Sequence, residues 1–124
     1  MAGIVTYLIA FVLAAHGLVH LLGFTVYLDL ATVAEFPYKT TLLGGAVDVG
    51  DGGVRVFGVL WGVAAVGFVV SAGAFLTDWQ SWRWLLVAVT LFSLALTVLD
   101  WTVAYAGVVA NLGILGLLLV HLRL

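Results

Sequence analysis

Apolar residues run almost unbroken from Ala2 to Leu28, from Val54 to Leu76, from Trp82 to Leu99 and from Tyr105 to Leu122. A helix rises ~1.5 Å per residue, so about 20 such residues cross the ~30 Å hydrocarbon core of a bilayer. The pattern predicts membrane spans at about 2–28, 54–76, 82–100 and 105–122. Between the first two, residues 29–53 hold Asp29, Glu35, Pro37, Lys39, Asp48, Asp51 and the pairs Gly44-Gly45 and Gly52-Gly53. Such a stretch interrupts a spanning helix and reads as the one substantial loop. Asp51 is placed to cap the second span. The other connections are short, Thr77-Asp78-Trp79-Gln80-Ser81 and a tight turn at about Asp100 to Ala106. The first run is expected to be a span and not a cleaved leader. It exceeds the ~7–15 apolar residues of a signal-peptide core, no Lys or Arg precedes it, and Thr32-Val33-Ala34 is a weak cleavage site. The predicted fold is an all-α integral membrane protein, a four-transmembrane-helix bundle forming a single membrane domain over 1–124.

Composition fixes the solvent. Of the 124 residues, 65% are hydrophobic and 8% charged, against roughly 45–50% and ~25% in soluble domains. With a mean hydropathy of +1.31, lipid is the expected surrounding and the lipid bilayer the first partner. The absence of Cys removes disulfides, thiolate metal sites and thiol nucleophiles. Four basic residues and a net charge of −2 give no footprint for nucleic acid. Neither GxGxxG nor GxxxxGK[ST] occurs, so nucleotide binding finds no support. An even span count puts both termini on one side. Lys and Arg divide equally between the sides, and the short loops and terminal amine tilt the expectation towards cytoplasmic termini. Trp79, Trp82 and Trp84 suit one interfacial belt, and Tyr27, Trp101 and Tyr105 the other; His121 and Arg123 read as terminal anchors. On span two, Gly58, Gly62, Ala65 and Ala72 fall near one face, a surface for close helix contact.

Polar groups inside spans are costly towards lipid and are expected to face the interior. His16, His20, Gly23 and Tyr27 form one stripe on span one, since His20 lies ~40° from His16 and Tyr27 returns to within ~20°. Thr90, Ser93, Thr97 and Asp100 share one face of span three, within ~80°. Span four contributes Asn111; span two begins with Arg55 and carries Trp61 deeper. Counted from the loop side, His20, Trp61, Ser93 and Asn111 all lie ~9–12 Å in. This predicts an uncharged polar layer at one depth, with Arg55, Tyr27 and Asp100 above it and His16 a turn below. The expected cavity opens towards the loop side, with residues 29–53 as cover, and no buried ion pair is anticipated.

Several chemistries are open to this layer. His16 and His20, at i and i+4, can hold one metal ion from one helix face, although no HExxH motif or deep carboxylate accompanies them. Haem needs a second axial ligand from elsewhere, since adjacent turns of one helix cannot supply both. A hydrogen-bonded interior is the bland alternative, each bond worth ~0.6–2 kcal/mol in lipid. The remaining alternative is a pocket for a quinone, lipid head group or other amphiphile, with His16, His20, Tyr27, Ser93, Thr97 and Asn111 as polar partners and Trp61 as a wall. There Arg55 would attract an anionic group, or act as an interfacial anchor paired with Asp51 or Asp100.

The first span reads Gly17-Leu18-Val19-His20-Leu21-Leu22-Gly23-Phe24, and with the four-span layout this resembles the DoxX-type small membrane proteins. The resemblance implies a four-helix bundle serving as accessory subunit of a membrane oxidoreductase near the quinone pool. It transfers no catalytic residue, and the chain lacks the prolines expected within such spans, Pro37 being its only one. The expected function is binding of a quinone-like or lipid-like molecule within a membrane redox or transport assembly, in a homo-oligomer or with other subunits. A structural subunit and a haem- or metal-binding protein are the alternatives. Active transport by this chain alone is not expected, because neither broken helices nor an inverted repeat is discernible; enzymatic activity of the chain alone stays open, with the expectation against it.

Overall fold

The computed structural model describes residues 3–122, with side chains as far as Val120. The anchors expected at His121 and Arg123 therefore lie outside the described side chains. Five helices follow in order: α1 (Ile4–Val19), α2 (Leu21–Tyr27), α3 (Gly50–Leu76), α4 (Trp82–Leu99) and α5 (Trp101–Leu122). Because α1 and α2 continue one another, four helical segments are long and apolar enough to cross a membrane, Ile4–Tyr27, Gly50–Leu76, Trp82–Leu99 and Trp101–Val120. Their outward faces carry Phe11, Leu117 and Val120, exposed large side chains that suit a lipid surrounding. The protein is an all-α, four-span bundle.

Span one is not the uninterrupted helix expected from its hydropathy. At His20 the backbone N–H bonds to the carbonyl of Gly17, three residues back, at 3.0 Å. That tightened turn leaves the His16 carbonyl free, and the His20 imidazole takes it through Nδ1 at 2.7 Å. A side chain thus replaces the missing rung of the helix ladder, and the break costs no unsatisfied carbonyl.

Spans two and four begin about four residues earlier than predicted, because α3 reaches back through Gly50-Asp51-Gly52-Gly53 and α5 starts directly after Asp100. Asp51 does not cap α3; its carboxylate accepts the Tyr38 hydroxyl at 2.5 Å. Asp48 instead accepts the Gly50 N–H at 3.0 Å, supplying the local turn that starts the helix. The last reversal is as tight as expected. Ala104 departs from helical geometry, and the Asp100 carbonyl accepts the N–H groups of Val103 and Ala104.

Helix α1 packs on α3, α3 on α4, and α4 on α5, with α2 also on α3. The small-residue face of α3 is spent inside the chain. A Cβ at Gly58 would stand 2.9 Å from Tyr27 and one at Gly62 2.7 Å from Phe24. On the facing helix, a Cβ at Gly17 would meet Phe68 at 2.6 Å and one at Gly23 the Trp61 ring at 2.6 Å. The loop folds over one end of the bundle as a short antiparallel hairpin. In it β1 (Thr41–Leu42) pairs with β2 (Val47–Asp48) across a 3-10 turn at Leu43–Gly45.

Candidate functional site

Four of the expected polar residues meet in one hydrogen-bonded circuit. His16 Nε2 lies 2.9 Å from Asn111 Oδ1, Asn111 Nδ2 2.9 Å from Ser93 Oγ, and His20 Nε2 2.6 Å from the same Ser93 Oγ. Donor logic orders the protons. The His16 carbonyl can only accept, so His20 Nδ1 carries the hydrogen. In the neutral ring Nε2 then accepts Ser93 O–H, Ser93 Oγ accepts the Asn111 amide, and Asn111 Oδ1 accepts from His16 Nε2–H. The circuit closes through the His16 backbone. Thr97 joins at its edge, accepting Asn111 Nδ2 at 3.3 Å and donating to the Leu94 carbonyl at 3.1 Å.

Helix phase explains the convergence. His16 and His20 share one face of span one, Ser93 and Thr97 one face of α4, and Asn111 faces both from α5. All but half-buried His16 are buried. The structure thus brings together His16, His20, Ser93, Thr97 and Asn111. Trp61 forms a wall as expected, its ring centroid 5.1 Å from that of His20, and Phe68 stands edge-on to His16 at 4.7 Å. Both His20 nitrogens have protein partners, so chelation of one metal by His16 and His20, or iron ligation by His20, has to break one of these bonds. Among the described residues no group of three or more His, Cys, Asp or Glu is placed to hold a metal ion.

Tyr27 and Asp100 belong to a second cluster nearer the loop, and here the expectation of no buried ion pair is overturned. Lys39 Nζ lies 2.5 Å from Asp100 Oδ1 and 2.7 Å from the Tyr27 hydroxyl, which in turn donates to Asp100 Oδ2. The Asp100 side chain is 0% exposed and that of Lys39 23%. Each carboxylate oxygen has a donor, the condition under which a buried charge is tolerated. The cation is Lys39 from the loop; Arg55, expected at this mouth, is exposed on α3. Two residues bear the same charge on the same side of the sequence, and only the path of the loop past Pro37 selects one.

The anticipated cavity on the loop side is also corrected. That end is filled by Tyr27, Phe57, Trp61 and Leu42, with Phe36 packed against them. A groove of about 750 Å³ lies on the other side of the polar circuit, towards the termini. It lies between α1 and α5, which approach each other less closely than the neighbouring helix pairs and are joined by the hydrogen bond of His16 to Asn111. Leu13, Phe75, Leu86, Ile114 and Leu118 are among its lining residues.

The chain finds no match among family models, curated proteins or solved structures. The functional reading therefore rests on the geometry. Sequence reasoning missed Lys39 and the groove. Asp100 was a usable signal for the first, since a carboxylate at a buried helix junction needs a counter-charge.

Proposed function

We propose that this protein is an intramembrane binding subunit. It holds an uncharged amphiphile, quinone-like or lipid-like, as an accessory part of a membrane redox or transport assembly, with both termini cytoplasmic. The observation that carries this reading is the circuit of His16, Asn111, Ser93 and His20. Neutral donors and acceptors from three helices converge there within apolar surroundings, the composition of a small-molecule site. The half-burial of His16 leaves one member within reach of a guest. The likeness of residues 17–24 to DoxX-type proteins supports the same reading. A purely structural subunit is less well supported, because Gly58 and Gly62, the surface it would offer a partner, are taken by Tyr27 and Phe24 of the same chain.

The test is purification from native membranes in mild detergent, followed by mass spectrometry of retained amphiphiles and co-purifying subunits. The wild-type protein is expected to retain one class of uncharged amphiphile, and Asn111→Leu to lose it at unchanged helix content. Equal retention by both proteins, or none by either, would refute the proposal.

A further inference from the structure

The structure assigns the guest a place and a direction: a single hydrocarbon chain lies in the groove between α1 and α5, its compact uncharged oxygen head turned inward to Thr90 and His16. This rests on the amphiphile reading above and deepens it.

Register along three helices carries the argument. Leu13 on α1, Leu86 on α4 and Ile114 on α5 line the groove. One turn further towards the loop on the same helices stand His16, Thr90 and Asn111, three, four and three residues away. At 3.6 residues per turn each lies about one turn on and ~40–60° around the helix from its groove-lining neighbour. Polar side chains from all three helices thus stand about one turn beyond the apolar lining of the groove, on its loop side.

Thr90 is the independent observation. It is 0% exposed, and its Oγ1 has no hydrogen-bond partner. A buried hydroxyl left unmade costs roughly 1–3 kcal/mol, and threonines in helices commonly relieve this through a carbonyl of the preceding turn. Thr90 does not. On the same helix face Ser93 and Thr97 are both satisfied. The orphan hydroxyl stands one turn above Leu86, where the end of a guest in the groove would lie.

These surroundings define the chemistry of the guest. The polar side chains beyond the inner end carry no obligatory charge, which suits a carbonyl or hydroxyl oxygen and offers no fixed counter-charge for a phosphate. The groove itself is lined by aliphatic and aromatic side chains and opens sideways to the hydrocarbon, which suits a prenyl or alkyl tail. Its volume of about 750 Å³ lies within the ~300–1,000 Å³ usual for small-molecule sites. A phospholipid would enter in the opposite sense, acyl end inward and head at the interface, leaving Thr90 unpaired. The groove is therefore a site for a neutral, single-headed lipid from the leaflet on the side of the termini.

The test uses full-length protein in phosphatidylcholine vesicles with 2-decyl-1,4-benzoquinone carrying a diazirine at the far end of its chain. Quenching of Trp fluorescence reports binding, and mapped cross-links report direction. Head-inward binding places cross-links on Val5, Leu117 or Val120, at the outer end of the groove. Thr90→Val is expected to weaken binding about tenfold, the equivalent of one well-made hydrogen bond. Because the Thr90 hydroxyl has no partner to lose, thermal stability should be unchanged or slightly raised. Ile114→Trp, which fills the groove, should abolish saturable binding. Saturable binding with cross-links beside Leu13 or Thr90, or on helix faces outside the groove, would overturn the assignment and leave the amphiphile reading standing. Unchanged affinity in Thr90→Val would remove the head-group contact and overturn it likewise. No saturable quenching by this probe, together with no amphiphile retained from native membranes, would overturn both.

Discussion

Lys39 and Asp100 show how much a single buried charge constrains this small protein. Removing one partner of such a pair leaves the other desolvated and unpaired, a loss that typically reaches ~3–5 kcal/mol. Lys39→Met is therefore expected to lower the thermal midpoint in detergent sharply, because the carboxylate stays buried against Tyr27. The double variant Lys39→Met, Asp100→Asn should recover much of that loss, since a neutral amide tolerates the site. Equal destabilisation by the single and double variants would show that packing of the lysine stem, not charge, secures the loop. A second residue contact is open to titration. Tyr38, outside the spans, donates to Asp51, and that hydrogen bond, reinforced by the negative charge of Asp51, raises its phenol above the usual value near 10. With the folded value raised, the contact favours the folded loop below the ordinary phenol range and is lost as pH rises through the raised value. Ultraviolet difference titration against Tyr38→Phe should locate this phenol above the usual value near 10. Asp51→Asn should bring it down.

At the scale of elements, α1 and α2 approach α3 so closely that glycine is required at particular positions. A methyl at Gly23 would lie 2.6 Å from the Trp61 ring, so that ring must move. Overpacking of this kind costs ~1–3 kcal/mol. Gly23→Ala should therefore destabilise the bundle measurably, while Gly73→Ala, with nothing within 4 Å of the added Cβ, should be neutral or stabilise by up to about 1 kcal/mol. Chemical denaturation in mixed micelles separates them. Similar effects at both positions would point to helix propensity as the cause instead of packing. The tightened turn at His20 belongs to the same scale. Imidazole was legible as an interior polar group from its spacing with His16, but its role in completing the helix ladder was not. Hydropathy averages over the turn in which one hydrogen bond is rerouted.

Over the whole molecule, four spans return the chain to the side on which it began. The protein contains no Cys, so single cysteines are clean reporters of side. Gln80→Cys and Gly3→Cys should react with a membrane-impermeant thiol reagent from one face of sealed vesicles, and Ala46→Cys only from the other. Reaction of Gln80→Cys and Ala46→Cys from the same face would break the four-span arrangement. The lipid surrounding, the span count and the interior facing of His16, His20, Ser93, Thr97 and Asn111 were all determined by the sequence itself. Each follows from a local cost, that of apolar side chains in water or polar ones in lipid, and local costs are written in composition and helical period. The tertiary structure alone decided which cation reaches Asp100, which end of the bundle is filled and which stays open, and which hydroxyl goes unpaired. Those outcomes depend on how far apart α1 and α5 stand and on the course of residues 29–49, distances between segments remote in the chain that no local period encodes.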